Sequence, residues 1–225
     1  MNASFNITDL LDDKIPWRHI VHLIPFSQQI FITGSAATWM AEFVMFETEP
    51  LWQPGDIDVF VLHPEPMFAT LVTAFAARHS HMIQNVKYSH RNVVDIEFDS
   101  SKISGPKLSF VRCQSGANER DVIQQFDIDV CKAVINRYDG ILKVSMTNDV
   151  LASIREREMH CIVRKMTPLS LMYPLQRNMN RIRKYMSRGY KFMTIKFESS
   201  CPRDFPDHAC ELHPNDFSSS YTANA

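Results

Sequence analysis

The chain has 225 residues, of which 45% are hydrophobic and 22% charged, and its net charge is −1. That balance excludes an intrinsically disordered chain, and no apolar run reaches the roughly 20 residues a membrane-spanning helix needs. Residues 1–9 lack the basic-then-apolar order of a secretory signal, and five cysteines at scattered positions make no disulfide framework, so an intracellular and cytoplasmic setting without membrane contact is expected.

Charge is uneven along the chain. Residues 151–200 hold eleven Lys and Arg against three Asp and Glu, while the remainder holds 13 against 22. An acidic part and a basic part suit a metal site and a polyanion contact respectively.

In chain order, short helices are expected at Thr8–Asp13 and Trp17–His22, followed by a buried strand ending Phe31-Ile32-Thr33. Gly34-Ser35 then opens a helix that runs through Ala36, Trp39 and Phe43. Free backbone N–H groups and the positive end of a helix attract phosphate, Gly34 allows close backbone approach, and the Ser35 hydroxyl adds a donor. A Trp- and Pro-containing loop leads to Gly55-Asp56-Ile57-Asp58-Val59-Phe60-Val61, a strand pattern. Side chains alternate along a strand, so Asp56 and Asp58 share one face while Ile57, Val59 and Val61 pack on the other. Two like charges on one face repel, and a divalent cation with oxygen ligands resolves the repulsion.

Glu65 to His79 reads as a helix, and strands are expected at Asn92–Asp99, Lys107–Arg112 and Phe126–Val130. A Tyr138-Asp139-Gly140 hairpin turn leads into a strand at Ile141–Met146. Helices follow at Asp149–His160 and Leu169–Arg188, the latter closed by Gly189, with strand alternation from Tyr190 to Phe197. In the last helix Arg177, Arg181, Lys184 and Arg188 form a basic stripe, and Leu175, Met179, Ile182 and Met186 an apolar one. From Ser199 onward the composition is that of an irregular tail; Cys201, His208 and Cys210 lack the regular spacing of a zinc site. Cys131 is expected to pack rather than react.

The hydrophobic-Gly34-Ser35 turn followed by Asp56-Ile57-Asp58 on the next strand resembles the polymerase-beta-like nucleotidyltransferase superfamily. The resemblance implies an α+β fold: a mixed-sheet core with helices on the sheet and a small basic helical part at the C-terminal side. It divides the chain into a catalytic core at 1–146, a basic helical segment at 147–198 and a tail at 199–225. In that family the Gly-Ser element binds the nucleoside triphosphate, and the strand carboxylates hold two Mg²⁺ (or Mn²⁺) ions. A third carboxylate completes the site on a later strand. Asp127 is the preferred candidate because a carboxylate deep in an apolar strand needs a partner; Asp129 comes next and Asp95 third. The segment from Ser35 to Asp56 is longer than the family usually has, which requires an extended helix or a bulging loop.

The implied activity is transfer of an NMP from an NTP to a hydroxyl, with release of pyrophosphate. An RNA 3′ end is the favoured acceptor, ahead of a protein or small molecule, and a protein partner is allowed. Arg181, Lys184 and Arg188 are candidates for contacts to nucleotide phosphates or RNA. The competing expectation is a catalytically inactive nucleotide- or RNA-binding module on the same fold.

Overall fold

The computed structural model describes residues 2–8, 15–90, 92–113, 117–163 and 172–197. Two compact units divide the chain: the first comprises residues up to Gln125 together with Cys131–Asn148, and the second comprises Phe126–Val130 with the residues from Asp149. Residues 9–14, which hold all but the first residue of the expected Thr8–Asp13 helix, residues 164–171, and the Cys201, His208 and Cys210 tail lie outside the described residues.

The first unit is built on an eight-stranded sheet. Its strands are β1 (Asn2–Asn6), β2 (Ile30–Thr33), β3 (Asp56–Val61), β4 (Ile83–His90), β5 (Val93–Phe98), β6 (Lys107–Arg112), β7 (Val134–Tyr138) and β8 (Ile141–Thr147). The spatial order is β1-β8-β7-β2-β3-β6-β5-β4, with β3 and β6 parallel and every other neighbouring pair antiparallel. This mixed sheet, with helices α1 (Arg18–Leu23), α2 (Ser35–Phe46), α3 (Glu65–Arg78) and α4 (Glu119–Gln124), is the expected α+β architecture.

Central β2 is buried throughout, and β3 alternates, with Ile57, Val59 and Val61 fully buried and Asp56, Asp58 and Phe60 half-exposed. Helix α2 has nine consecutive buried residues, Ser35 to Phe43, and packs on β2, β3, β7 and β8; a helix apolar nearly all round belongs inside. Trp39 stacks on Phe43 at 5.5 Å and meets Trp17 edge-on at 5.5 Å, which fixes α2 in the core. Between β7 and β8, Asp139 and Gly140 both take positive φ, 52° and 79°, as a tight hairpin turn requires.

The second unit contains α5 (Asn148–Glu156), β9 (Glu158–Val163), α6 (Met172–Met186) and β10 (Lys191–Phe197), with β9 and β10 parallel. Gly189, at φ 90°, closes α6: its N–H donates to Met186 O at 3.0 Å and that of Tyr190 to Tyr185 O at 3.1 Å, a Schellman arrangement.

Several local expectations are corrected. Phe126–Val130 is not a strand: Ile128 makes an isolated bridge to Cys161, and a 3₁₀ turn occupies Asp129–Lys132. Helix α5 stops at Glu156, because Arg157 adopts a positive φ of 54° and Glu158–Val163 then pairs with β10. Strands β1 and β4 were not expected. Both are sheet edges on which exposed polar residues such as Ser4, Asn6, Gln84, Asn85 and Lys87 break up the apolar alternation that marks a strand. Among the described residues no helix is long and apolar enough to cross a membrane.

Candidate active site

The Gly-Ser element sits where β2 gives way to α2. Gly34 has φ 77° and ψ −145°, a region that only glycine enters without strain. This kink lets the Gly34 N–H donate to Cys131 O at 3.2 Å while its carbonyl accepts from Thr38 N at 3.0 Å and Thr38 Oγ1 at 2.9 Å. The preceding Thr33 hydroxyl is spent on the carbonyls of Cys131 and Ala133, at 3.0 and 2.7 Å. Ser35 differs: its Oγ is buried at the first turn of α2 and has no hydrogen-bond partner among the described residues. A buried hydroxyl left unsatisfied costs about 1–3 kcal/mol, so a water or a ligand oxygen that meets it is favoured there.

The acid pair lies at the same end of the sheet. β2 and β3 are antiparallel with Thr33 opposite Asp58, so the chain turns into Gly34-Ser35 beside the strand start that carries Asp56. The long connection from α2 to β3 is folded back onto its own helix. Glu47 takes a left-handed conformation at the end of α2, Trp39 Nε1 donates to Trp52 O at 2.7 Å, and Trp52 Nε1 donates to the fully buried Glu42 at 3.1 Å.

Register extends the acidic face across two further strands. Asp56 neighbours Lys107 and Asp58 neighbours Ser109 on β6, and Ser109 neighbours Asp95 on β5. Directly paired residues share a face, so Asp58, Ser109 and Asp95 form one row. Asp95 is buried and accepts from Ser109 Oγ at 2.7 Å and from Ser89 Oγ, with Lys107 Nζ at 3.1 Å. Burial works to raise the Asp95 pKa, but the Ser89 and Ser109 hydroxyls and the Lys107 ammonium outweigh it and hold the carboxyl below its ordinary value. Lys107 and Ser109 did not figure among the expected site residues; their alternation in Lys107-Leu108-Ser109-Phe110 was readable, but their proximity to the acids is a matter of register.

Asp127 and Asp129 belong to the second unit. Asp127 forms an ion pair with Arg181 at 2.6 Å, and its carbonyl accepts from Ile162 N at 2.6 Å. The Asp129 carboxylate accepts from Val130 N at 2.8 Å, His160 N at 2.9 Å and Ser153 Oγ at 2.9 Å, the role of a local structural clamp. Burial, followed by the nearby Asp127 carboxylate, pushes the Cys161 thiol up to about 12, so it packs as an apolar side chain.

Among the described side chains of α6, Asn178, Ile182 and Tyr185 are buried, Met179 is half-buried and Met186 is 51% exposed, so the buried face departs from the expected row at Met186; the side chains of Leu175 and Arg177 lie outside the described residues. The basic stripe is correspondingly split. Lys184 and Arg183 are exposed, Arg181 holds Asp127, and Arg188 is buried with its guanidinium 4.8 Å from the Tyr185 ring centre.

Among the described residues no three His, Cys, Asp or Glu side chains gather as a metal-binding group. Two half-exposed strand carboxylates nonetheless fit Mg²⁺, which binds through one or two carboxylates and takes its remaining ligands from substrate phosphates and water. A cavity of about 480 Å³ opens elsewhere, lined by Leu23, Pro25, His63, Met67, Leu71 and Arg78 among others. It lies past the far end of β3 from Asp56, and its mostly apolar walls offer no carboxylate pair.

No protein-family model matches the sequence, and no curated protein does. Solved structures match the fold. The Thermotoga maritima CCA-adding enzyme complexed with tRNA aligns with a TM-score of 0.57 at 9% identity, over 85% of this chain and 43% of that one. A CCA-adding enzyme in complex with ATP gives 0.56 at 9% identity, over 85% and 43%. An apo CCA-adding enzyme gives 0.56 at 10% identity, over 84% and 43%. The chain thus has the nucleotidyltransferase fold and spans less than half the length of these enzymes.

Proposed function

We propose that this chain is a metal-dependent nucleotidyltransferase that moves an NMP from an NTP to a hydroxyl acceptor, an RNA 3′ end being favoured, and releases pyrophosphate. The observation that carries this reading is the meeting, at one end of the sheet, of the Asp56/Asp58 face with a helix start whose Ser35 hydroxyl is buried and unsatisfied. The Gly34 backbone and Ser35 receive the outer phosphates, where the α2 N-terminus favours negative charge. Asp56 and Asp58 hold two Mg²⁺ or Mn²⁺ ions. When bound, these ions supply Lewis-acid neutralisation of the phosphates and of the attacking oxygen.

The acceptor oxygen forms its bond to the α-phosphorus as the bond to pyrophosphate breaks. On this reading Asp95, rather than the initially preferred Asp127, supplies the third carboxylate that draws the acceptor hydroxyl's proton, a choice supported by its place on the Asp58 row. Asp127 is the alternative and Asp129 the next; Asp95 and Asp129 each accept from three donors, so it is the place on the Asp58 row and not an unoccupied carboxylate that favours Asp95. Lys184, together with Arg183, offers the exposed cations for RNA, with Arg181 and Arg188 in supporting positions. The solved nucleotidyltransferases bound to tRNA and to ATP support the same substrate classes.

The absence of a three-acid group among the described residues favours a second reading, an inactive nucleotide- or RNA-binding module. One experiment separates the two: incubation of the chain with each α-labelled NTP, total RNA and Mg²⁺ or Mn²⁺. Label transferred by the wild type and lost by about a thousandfold in a folded Asp56→Ala/Asp58→Ala variant supports the enzyme, since metal stabilisation of the transition state is worth several kcal/mol. Nucleotide binding without transfer supports the module.

A further inference from the structure

The cavity of about 480 Å³ in the first unit lies past the far end of β3 from Asp56, and the nucleotide reading makes no use of it. Its volume is in the range of small-ligand sites, which are mostly apolar with a few polar groups that fix orientation. Helix α3 supplies most of its lining. One apolar row of α3, Phe68, Val72 and Phe75, is buried, and Phe75 meets Phe110 of β6 edge-on at 5.1 Å. A second row, Met67, Leu71 and Ala74, follows the i, i+4, i+7 spacing of a helix face, lines the cavity, and is continued one turn on by Arg78. Met67 is 53% exposed and Leu71 half-buried, so this row is open to solvent. Leu23 and Pro25, at the end of α1, add to the apolar lining. From Met67 to Arg78 the helix rises roughly 16 Å, at about 1.5 Å per residue.

The ionisable groups that line the cavity are Arg78, His79 and His63, and no Asp or Glu is among the described residues that line it. Arg78 and His79 stand together at the C-terminal end of α3, where the His79 ring packs on Phe75 at 4.7 Å; His63 precedes the helix at its other end. Glu65, in the first turn, is paired with Arg112 at 3.3 Å. Burial holds the His79 pKa below its ordinary value, and the positive charges of Arg78 and then His81 lower it further, so the field at this end is positive. The Phe75 and Ala77 carbonyls there are met by the His79 and Ser80 N–H groups, at 3.1 and 3.5 Å, which blunts the negative end of the helix. We infer that this groove is a binding site for a single-chain amphipathic anion, its apolar body laid along Met67, Leu71 and Ala74 and its carboxylate or phosphate head held by Arg78 and His79. Burial of the apolar row supplies affinity without direction, and Arg78 selects the head, since a guanidinium meets a carboxylate or phosphate with two parallel N–H donors. The site stands apart from the nucleotide reading, and neither depends on the other.

The test is calorimetry of the full chain against dodecanoate, dodecyl phosphate, dodecanol and dodecyltrimethylammonium below their micelle-forming concentrations, with the ¹³C-methyl signals of the methionines followed in parallel. One or both anions should bind once per chain and shift the Met67 methyl, and the tighter of the two identifies the head group. Dodecanol and the cationic amphiphile should bind roughly fivefold more weakly, the upper worth of one exposed charge pair. Arg78→Glu should erase that preference. Ala74→Trp fills the groove from an exposed position and should weaken the anion by about tenfold or more through lost apolar contact; if it does not fold, Thr70→Trp, also exposed, carries the same expectation. Equal binding of the alcohol and the anions would leave an apolar crevice with no head-group site. Anion binding that does not move the Met67 methyl, or that survives the tryptophan variant, would lie elsewhere on the chain. Failure of both anions to bind, or self-association that the tryptophan variant abolishes, would deny the face to this ligand class and, in the second case, give it to another copy of the chain. Each of these results overturns the inference.

Discussion

Asp56-Ile57-Asp58 opens β3, whereas Asp127-Ile128-Asp129, the same three residues, runs through an isolated bridge into a 3₁₀ turn. In the first copy both acids face one side, and the buried Ile57 anchors the other. In the second copy one acid is taken by Arg181, and the other clamps the backbone of Val130 and His160 and the hydroxyl of Ser153. Ile128 is fully buried in both senses that matter: it is inaccessible, and it ties the segment to β9 through Cys161. The same three residues thus serve different ends: on β3 they place two acids on one strand face, and in the second copy they tie a turn to its surroundings. On β3 the strand's own N–H groups are spent on neighbouring strands, whereas the Asp129 carboxylate takes up the N–H of Val130 in the 3₁₀ turn and that of His160 on β9.

Substitution of the two copies should break the comparison most visibly. Asp129→Ala strips three donors of one acceptor and should cost about 2–4 kcal/mol in a urea melt. Asp56→Ala should stay within about 0.5 kcal/mol of the wild type, or gain stability by relieving repulsion, while metal-dependent nucleotide binding fails. Equal losses of stability at both sites would mean that the first copy is structural as well.

The third carboxylate sharpens the contrast next. Asp95→Asn should lower transfer by about a hundredfold or more, whereas Asp127→Asn should act mainly by releasing Arg181; single-turnover rates on folded variants decide between them. Asp95 also carries a pH signature. Its folded pKa is depressed, so its contribution to stability is complete above the unfolded value near 3.8 and is lost as pH falls through the folded value. Melts of the wild type should weaken below about pH 4, and Asp95→Asn should flatten that acid limb.

A smaller effect is expected at the phosphate end. Ser35→Ala removes a buried hydroxyl that has no partner, so the apo protein should be unchanged or more stable by up to about 1 kcal/mol, while NTP affinity falls. A Ser35→Ala variant that loses stability without losing NTP affinity would make Ser35 a helix-start residue only. The smallest effect concerns RNA. Arg183→Glu with Lys184→Glu should lower the slope of log affinity against log salt by roughly one unit per lost phosphate contact, as read by filter binding. An unchanged slope would leave that face of α6 as a solvated surface.

The sequence by itself determined the elements that repeat a local rule. β3 follows from its alternation, α2 from its unbroken apolar run after Gly34-Ser35, the β7–β8 turn from Asp139-Gly140, and the end of α6 from Gly189. In each case the deciding interaction lies within a few residues, so the signal survives in one dimension. Only the tertiary structure decided which strand stands beside which. The parallel pairing of β6 with β3, across a long excursion through α3, β4 and β5, brings Lys107 and Ser109 next to the acids and sets Asp95 on the Asp58 row. Tertiary structure likewise turned Asp127 and Asp129 away from strand geometry and buried Arg188 over Tyr185. Register and side-chain pairing across a sheet are won by packing against distant residues, and a shift of one position would move every side chain to the opposite face. No local pattern carries that information, which is why the acid pair was legible and its neighbours were not.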